Sequence, residues 1–237
     1  MASSSSPAVD PLSRRSLLPL ERRTDARPRS SGTGAAPVGV LDLHLEGKSF
    51  DGAPVLGPCE LVLGPGEALA ITGPSGIGKS TLLRIIAGLD PDFRGRIRRP
   101  DRIAMVFQEP TLLPWRSARA NLILATGIDR ETAETALAEV GLAGQGDKFP
   151  GQLSLGQQRR LALARAFSAR PDLLLMDEPF VSLDSRRAEE MYALFEALRA
   201  RRPVATVLVT HSASEAQRLA DRVARLDGVP AVLFETT

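Results

Sequence analysis

The stretch GPSGIGKST, Gly73 to Thr81, combines three glycines with a lysine and three hydroxyls. Gly73, Gly76 and Gly78 let the backbone curl so that successive N–H groups face an anion, with Pro74, Ser75 and Ile77 between them. Lys79 supplies a point charge to the β- and γ-phosphates of a nucleotide, Ser80 a hydroxyl to Mg²⁺, and Thr81 completes the string. The stretch matches G-x-x-x-x-G-K-[ST], follows the strand-like run ALAIT and opens the helix-like STLLRIIAGL, the context a phosphate loop requires.

A second chemical group stands in LLLMDEP, Leu173 to Pro179, where four apolar residues end in two carboxylates. A buried strand that emerges in this way does so at the ligand edge of an open α/β sheet. Asp177 is suited to Mg²⁺, and Glu178 to polarising an attacking water as general base. The pair points to hydrolysis and not to transfer. Gln108 ends the apolar run IAMVFQ and His211 ends ATVLVTH, so an amide and an imidazole are expected at neighbouring strand ends, where each could orient water or touch a γ-phosphate. Ser212 and Glu215 follow His211 as an expected capping box. His44 has no such company and reads as structural. Ser154 heads a helical pattern in FPGQLSLGQQRRLALARAF, where it serves either as an ordinary cap or, with the unpaired N–H groups of the helix start, as an anion seat.

The elements that must position these residues are short apolar runs, VLDLHL, CELVL, ALAIT, IAMVF, LLLMD and ATVLVT, alternating with helical patterns at Ser80–Gly88, Arg130–Val140, Ser154–Ala169, Arg186–Arg199 and Ser212–Val223. This order predicts an α/β fold, largely parallel, with an antiparallel β piece first and a helical insertion at about residues 110–165. At 237 residues and 43% hydrophobic content the chain can bury a sizeable core. No run approaches the ~20 apolar residues of a membrane-spanning helix. Cys59 is the only cysteine, so no intrachain disulfide forms, in keeping with a reducing compartment.

Residues 1–36 are rich in Ser, Arg and Pro and are expected to form a disordered basic tail, with six Arg against three acids. That excess leaves the rest of the chain near −1 of the whole-chain +2, so no nucleic acid is expected as partner. The tail's SRRSLL resembles a twin-arginine export signal but lacks the apolar segment that should follow.

Gly73–Thr81, Gln108, Ser154–Gln157, Asp177–Glu178, the SLD of Ser182–Asp184 and His211 follow the order and approximate spacing of the ATP-binding subunits of ABC transporters, which the chain resembles from about Val38 to Ala231. The resemblance implies a P-loop NTPase fold and an ATPase using ATP and Mg²⁺, with residues 37–237 as the ATP-binding domain. It implies Ser80, Gln108 and Asp177 at the metal, Glu178, His211 and Gln108 in catalysis, and Phe50 stacked on adenine. Leu153–Gln157 (LSLGQ) resembles the LSGGQ signature, which closes over the nucleotide of a second subunit; Ser154, Gly156, Gln157 and Asp184 would then serve a partner's ATP, with Leu155 where the family usually has glycine. MVFQEPTLLPW, Met105 to Trp115, resembles the Gln-loop of the nitrate, sulfonate, taurine and bicarbonate importers. Leu112, Leu113, Pro114 and Trp115 are therefore expected to line the docking groove for a transmembrane permease, itself served by a periplasmic or extracellular substrate-binding protein. The expected place is the cytoplasmic face of the membrane. An ABC exporter or lipid transporter, and a non-transport ABC ATPase, remain as alternatives; a P-loop kinase or GTPase is disfavoured by the lack of an N-K-x-D string and the presence of the signature.

Overall fold

The computed structural model describes residues 39–236, and the expected basic tail lies outside them. Within them the chain forms two sheets. The first is antiparallel: β1 (Leu41–Phe50) pairs with β2 (Ala53–Leu56), β3 (Cys59–Leu63) and β5 (Arg94–Arg98). Leu41, Leu43 and Leu45 are buried and alternate with Asp42, His44 and Glu46, as a strand with one wet face requires. His44 meets Glu60 across the strands at 2.9 Å on the wet face, the structural place expected of it.

The second sheet has the order β10 (Val232–Thr236), β9 (Arg222–Asp227), β4 (Ala68–Thr72), β8 (Ala205–Val209), β7 (Leu173–Asp177), β6 (Ile103–Val106). All its pairings are parallel except β10 with β9. Its central strands are almost wholly apolar because both faces are covered, and the one buried hydroxyl within them, Thr206 of β8, donates to the Val204 carbonyl. Leu173, Leu175, Val207 and Val209 face one core, shared with β1, β3 and α1 (Lys79–Ala87). Leu174, Met176 and Leu208 face the other, shared with α2 (Ala118–Thr126), α3 (Arg130–Glu139), α4 (Leu155–Ser168) and α5 (Ser185–Arg201). Between β6 and β7 the chain makes α2, a short α3, a 3₁₀ turn at Pro150–Gln152 and α4, without a strand.

Three expectations require correction. The helical pattern at Ser212–Val223 ends early: α6 spans Ala213–Leu219, and Arg222 already belongs to β9, where Ala224 and Leu226 alternate inward beside β4. Gln108 and His211 do not end their strands, since β6 stops at Val106 and β8 at Val209 and both residues lie in the turns beyond. The capping box after His211 is half formed. Ser212 Oγ accepts from Glu215 N, but the Glu215 carboxylate turns to Thr210 and Tyr192, and Ser212 N donates to Thr210 Oγ1 instead.

Candidate nucleotide site

Parallel neighbours β4, β8, β7 and β6 all end on one edge, so the loops after them are brought side by side. Gly73 follows β4 with φ 148°, and a Cβ there would come within 2.4 Å of the Leu226 carbonyl on the adjacent strand. Gly78 precedes α1 with φ 113° and packs against Leu56 of β2. Helix α1 has no side-chain cap and no acid in its first turn, which leaves its N–H groups and dipole to an anion. Lys79 is buried and folds back over the loop, donating to the carbonyls of Gly73 and Pro74 at 2.9 Å each.

Ser80 Oγ donates to Asp177 Oδ1 at 3.1 Å. Burial pushes the Asp177 carboxyl above its ordinary range, an effect that the Ser80 hydrogen bond opposes. A hydroxyl and a carboxylate held together on the ends of a helix and a strand form the hard-oxygen pair that Mg²⁺ takes beside phosphates, so the residues present fit the ion.

Glu178 begins the turn after β7 with φ 47°, a strained conformation for a non-glycine residue, fixed by its N–H donating to the Val209 carbonyl at 2.9 Å. Its side chain is thereby set between two others: Oε1 lies 3.7 Å from Lys79 Nζ and Oε2 lies 3.4 Å from His211 Nδ1. His211 is half exposed, on a turn braced by Thr210, whose hydroxyl donates to the buried Glu215 at 2.5 Å. Tyr192 of α5 donates to the same carboxylate at 2.9 Å. This bracing was not legible in the sequence beyond Glu215 itself. Gln108 is exposed in the turn after β6, on the same sheet edge.

Other candidates lie apart from this cluster. Phe50 closes β1 at a two-residue turn, Asp51 (φ 48°) and Gly52 (φ 81°), and is 46% exposed, which excludes a core role. Ser154 caps α4: its Oγ accepts from Gln157 N at 3.3 Å and Gln157 Oε1 accepts from Ser154 N at 2.9 Å. Leu155 is the first helical residue, without positive φ, and projects outward. Gly156 has ordinary helical angles and nothing within 4 Å of where a Cβ would stand, so this chain's own packing does not demand glycine there. Asp184 caps α5, accepting from Arg187 N at 3.0 Å.

The segment after Gln108 is held by two polar side chains that sequence reasoning missed. Asn121 of α2 is buried; it accepts from Leu113 N at 2.7 Å and donates to the carbonyls of Leu113, Arg116 and Ser117. Arg165, near the end of α4, donates to the carbonyls of Pro110 and Thr111. An asparagine at a core-facing position between Ala118 and Leu122 was the one available signal. Leu112 packs on the core, whereas Trp115 stands 67% exposed on this braced turn, so the segment is not simply a packed apolar turn.

The family model described as ABC transporter matches residues 56–181. The chain is 44% identical over 222 residues to aliphatic sulfonates import ATP-binding protein SsuB 1 of Streptomyces avermitilis, covering 92% of this chain and 84% of that one. It is 46% identical over 210 residues to the protein named SsuB 3 of Nocardia farcinica, covering 87% and 85%. A third similar protein, SsuB 2 of Paracoccus denitrificans, is 46% identical over 197 residues. With a phosphate loop, a strand-end carboxylate pair and this likeness over most of its length, the chain belongs to the ABC transporter family as an ATP-binding, ATP-hydrolysing domain.

Proposed function

We propose that this chain energises import through a separate membrane permease from the cytoplasmic face of the membrane, with an organic anion of the sulfonate class as cargo. The observation that carries the catalytic part is the meeting of Lys79, Glu178 and His211 at the end of adjacent parallel strands. Import and cargo rest on the relatives, each named for import of aliphatic sulfonates. Residues 37–237 form the ATP-binding domain, with residues 110–165 as its helical insertion.

In this reading the loop from Gly73 to Thr81, with Pro74, Ser75, Gly76, Ile77 and Gly78 between, cradles the phosphates through its backbone N–H groups. Lys79 exchanges its loop carbonyls for β- and γ-phosphate oxygens. Ser80 and Asp177 hold Mg²⁺, and Gln108 reaches it from the neighbouring turn. The ion, when bound, neutralises charge on the phosphate oxygens. Glu178 takes the proton of the attacking water, and His211 fixes the Glu178 carboxylate and faces the γ-phosphate. Phe50 stacks on the adenine.

A second copy of the chain completes the site. Ser154, Gly156 and Gln157 present a helix start, and Asp184 a turn, to the partner's nucleotide. The bare surface at Gly156 supports this, because room left by a missing side chain serves an approaching phosphate. Leu112, Leu113, Pro114 and Trp115 receive the permease, and the substrate-binding protein acts through that permease. Co-purification with a permease from native membrane, followed by ATP-driven uptake of an alkanesulfonate into vesicles, tests the proposal. ATP hydrolysis with no permease bound would sink the transport reading, and outward movement would favour an exporter.

A further inference from the structure

Near the tip of the first hairpin is a buried charge that the proposed chemistry does not use. Lys48 is 3% exposed, and its ammonium donates to Asp90 Oδ1 at 2.8 Å and to the Asp92 backbone carbonyl. Asp92 Oδ2 lies 3.4 Å away. A buried ammonium is tolerated only when paired in this way, and the pairing fixes its position. The Asp90 hydrogen bond raises the Lys48 pKa, so the side chain stays charged at neutral pH. The same nitrogen lies 4.5 Å from the centroid of the Phe50 ring. Lys48 and Phe50 are two residues apart in β1 and so share a face of the strand, and the aspartates fix the ammonium against the ring.

We propose that Lys48 is a positioning residue for the nucleobase: held by Asp90 and Asp92, it backs one face of the Phe50 ring and presents the other face to a purine. This rests on the reading of Phe50 as the base-stacking residue. The physical case has two parts. An aromatic ring beside a tight turn, nearly half exposed, has little else to fix its plane, and the cation supplies a directional contact to the negative face of the ring. The cation also draws π-density toward itself, which favours an electron-rich purine stacked on the opposite face. Asp90 follows closely on the end of α1, and Leu56, the cross-strand partner of Lys48, packs on Gly78 at its start, so the ring is referenced to the same helix that carries the phosphate site.

That connection also gives Lys48 an alternative, purely structural role in supporting α1, and the test must separate the two. Binding of Mg²⁺-ATP and of inorganic tripolyphosphate is measured by calorimetry on the full chain for wild type, Lys48→Met, Lys48→Arg, Phe50→Ala and Lys48→Met/Phe50→Ala. Positioning of the base predicts that Lys48→Met weakens ATP by about three- to tenfold and leaves tripolyphosphate unchanged. Lys48→Arg should recover most of the loss, and the double variant should be no weaker than Phe50→Ala alone. If Lys48→Met leaves Asp90 uncompensated and fails to fold, Lys48→Met/Asp90→Asn is read in its place against Asp90→Asn. Equal weakening of ATP and tripolyphosphate would overturn the proposal in favour of support for α1. Unchanged ATP affinity in Lys48→Met beside a weakened Phe50→Ala would overturn it for Lys48 alone, whereas unchanged affinity in Phe50→Ala would remove the base-stacking reading first.

Discussion

Glu178 and Lys79 stand 3.7 Å apart, carboxylate to ammonium, with the other Glu178 oxygen 3.4 Å from His211. The glutamate is held by its backbone, since its positive φ is locked by the bond from its N–H to Val209 on the neighbouring strand. Glu178→Gln therefore keeps shape and position while losing proton acceptance. Its expected outcome is retained ATP binding with hydrolysis slowed by about 10²–10⁴, read by equilibrium binding and steady-state phosphate release. Near-wild-type turnover would remove Glu178 as the base. Lys79→Ala, by contrast, removes the phosphate-facing charge and both bonds to the loop carbonyls, and should abolish ATPase activity.

Asp177 separates stability from function. Burial raises its carboxyl pKa above the unfolded value, so at neutral pH the ionised group works against folding, and stability from this residue is lost as pH rises through the folded pKa. Asp177→Asn keeps an acceptor for Ser80 and removes the buried charge. The nucleotide-free variant should melt above wild type and gain less from Mg²⁺-ATP, as thermal melts with and without nucleotide will read. A lower melting temperature without nucleotide would mean that attraction from Lys79 and Arg84 outweighs burial.

The parallel core was legible because its strands are buried on both faces and read as almost unbroken apolar runs, with the phosphate loop fixing which one leads to α1. The strands β2, β5 and β10 were not read. β5, RGRIR, buries only part of Ile97, and β2 has four residues, so neither carries a period. β9 is hidden because the helical pattern at Ser212–Val223 overruns its first two residues, Arg222 and Val223, and leaves too short an apolar run behind. The phosphate loop and the carboxylate pair could be found singly in the sequence, but their meeting depends on the strand order β4-β8-β7, which no local pattern states. Asn121 and Lys48 were missed for a related reason: the partners that justify a buried polar group lie elsewhere in the chain.

Trp115 and Asn121 should respond in opposite ways. Trp115 is 67% exposed, so Trp115→Ala should leave the melting temperature of the isolated chain within error while weakening co-purification with the permease, as loss of an aromatic anchor does. Asn121 is buried and satisfies Leu113, Arg116 and Ser117. Asn121→Ala orphans those groups and should cost about 1–3 kcal/mol in denaturant unfolding. A Trp115→Ala chain that unfolds, or that binds permease undiminished, would end the docking assignment.

The last test concerns the departure at Leu155, where an added side chain could obstruct closure of a second copy over the nucleotide. The geometry argues against obstruction. Leu155 is the first residue of α4, needs no positive φ and points outward, while Ser154 retains its cap and Gly156 remains bare beside it. Leu155→Gly removes apolar surface and adds backbone freedom at a position that uses neither glycine's angles nor its missing Cβ. Ser154→Ala removes the oxygen that caps Gln157 N, at a cost of about 1 kcal/mol to the helix start, together with the hydroxyl offered to a phosphate. In the assembled transporter, steady-state ATP hydrolysis should therefore change less in Leu155→Gly than in Ser154→Ala. A rate in Leu155→Gly well above wild type would mean instead that this leucine throttles closure.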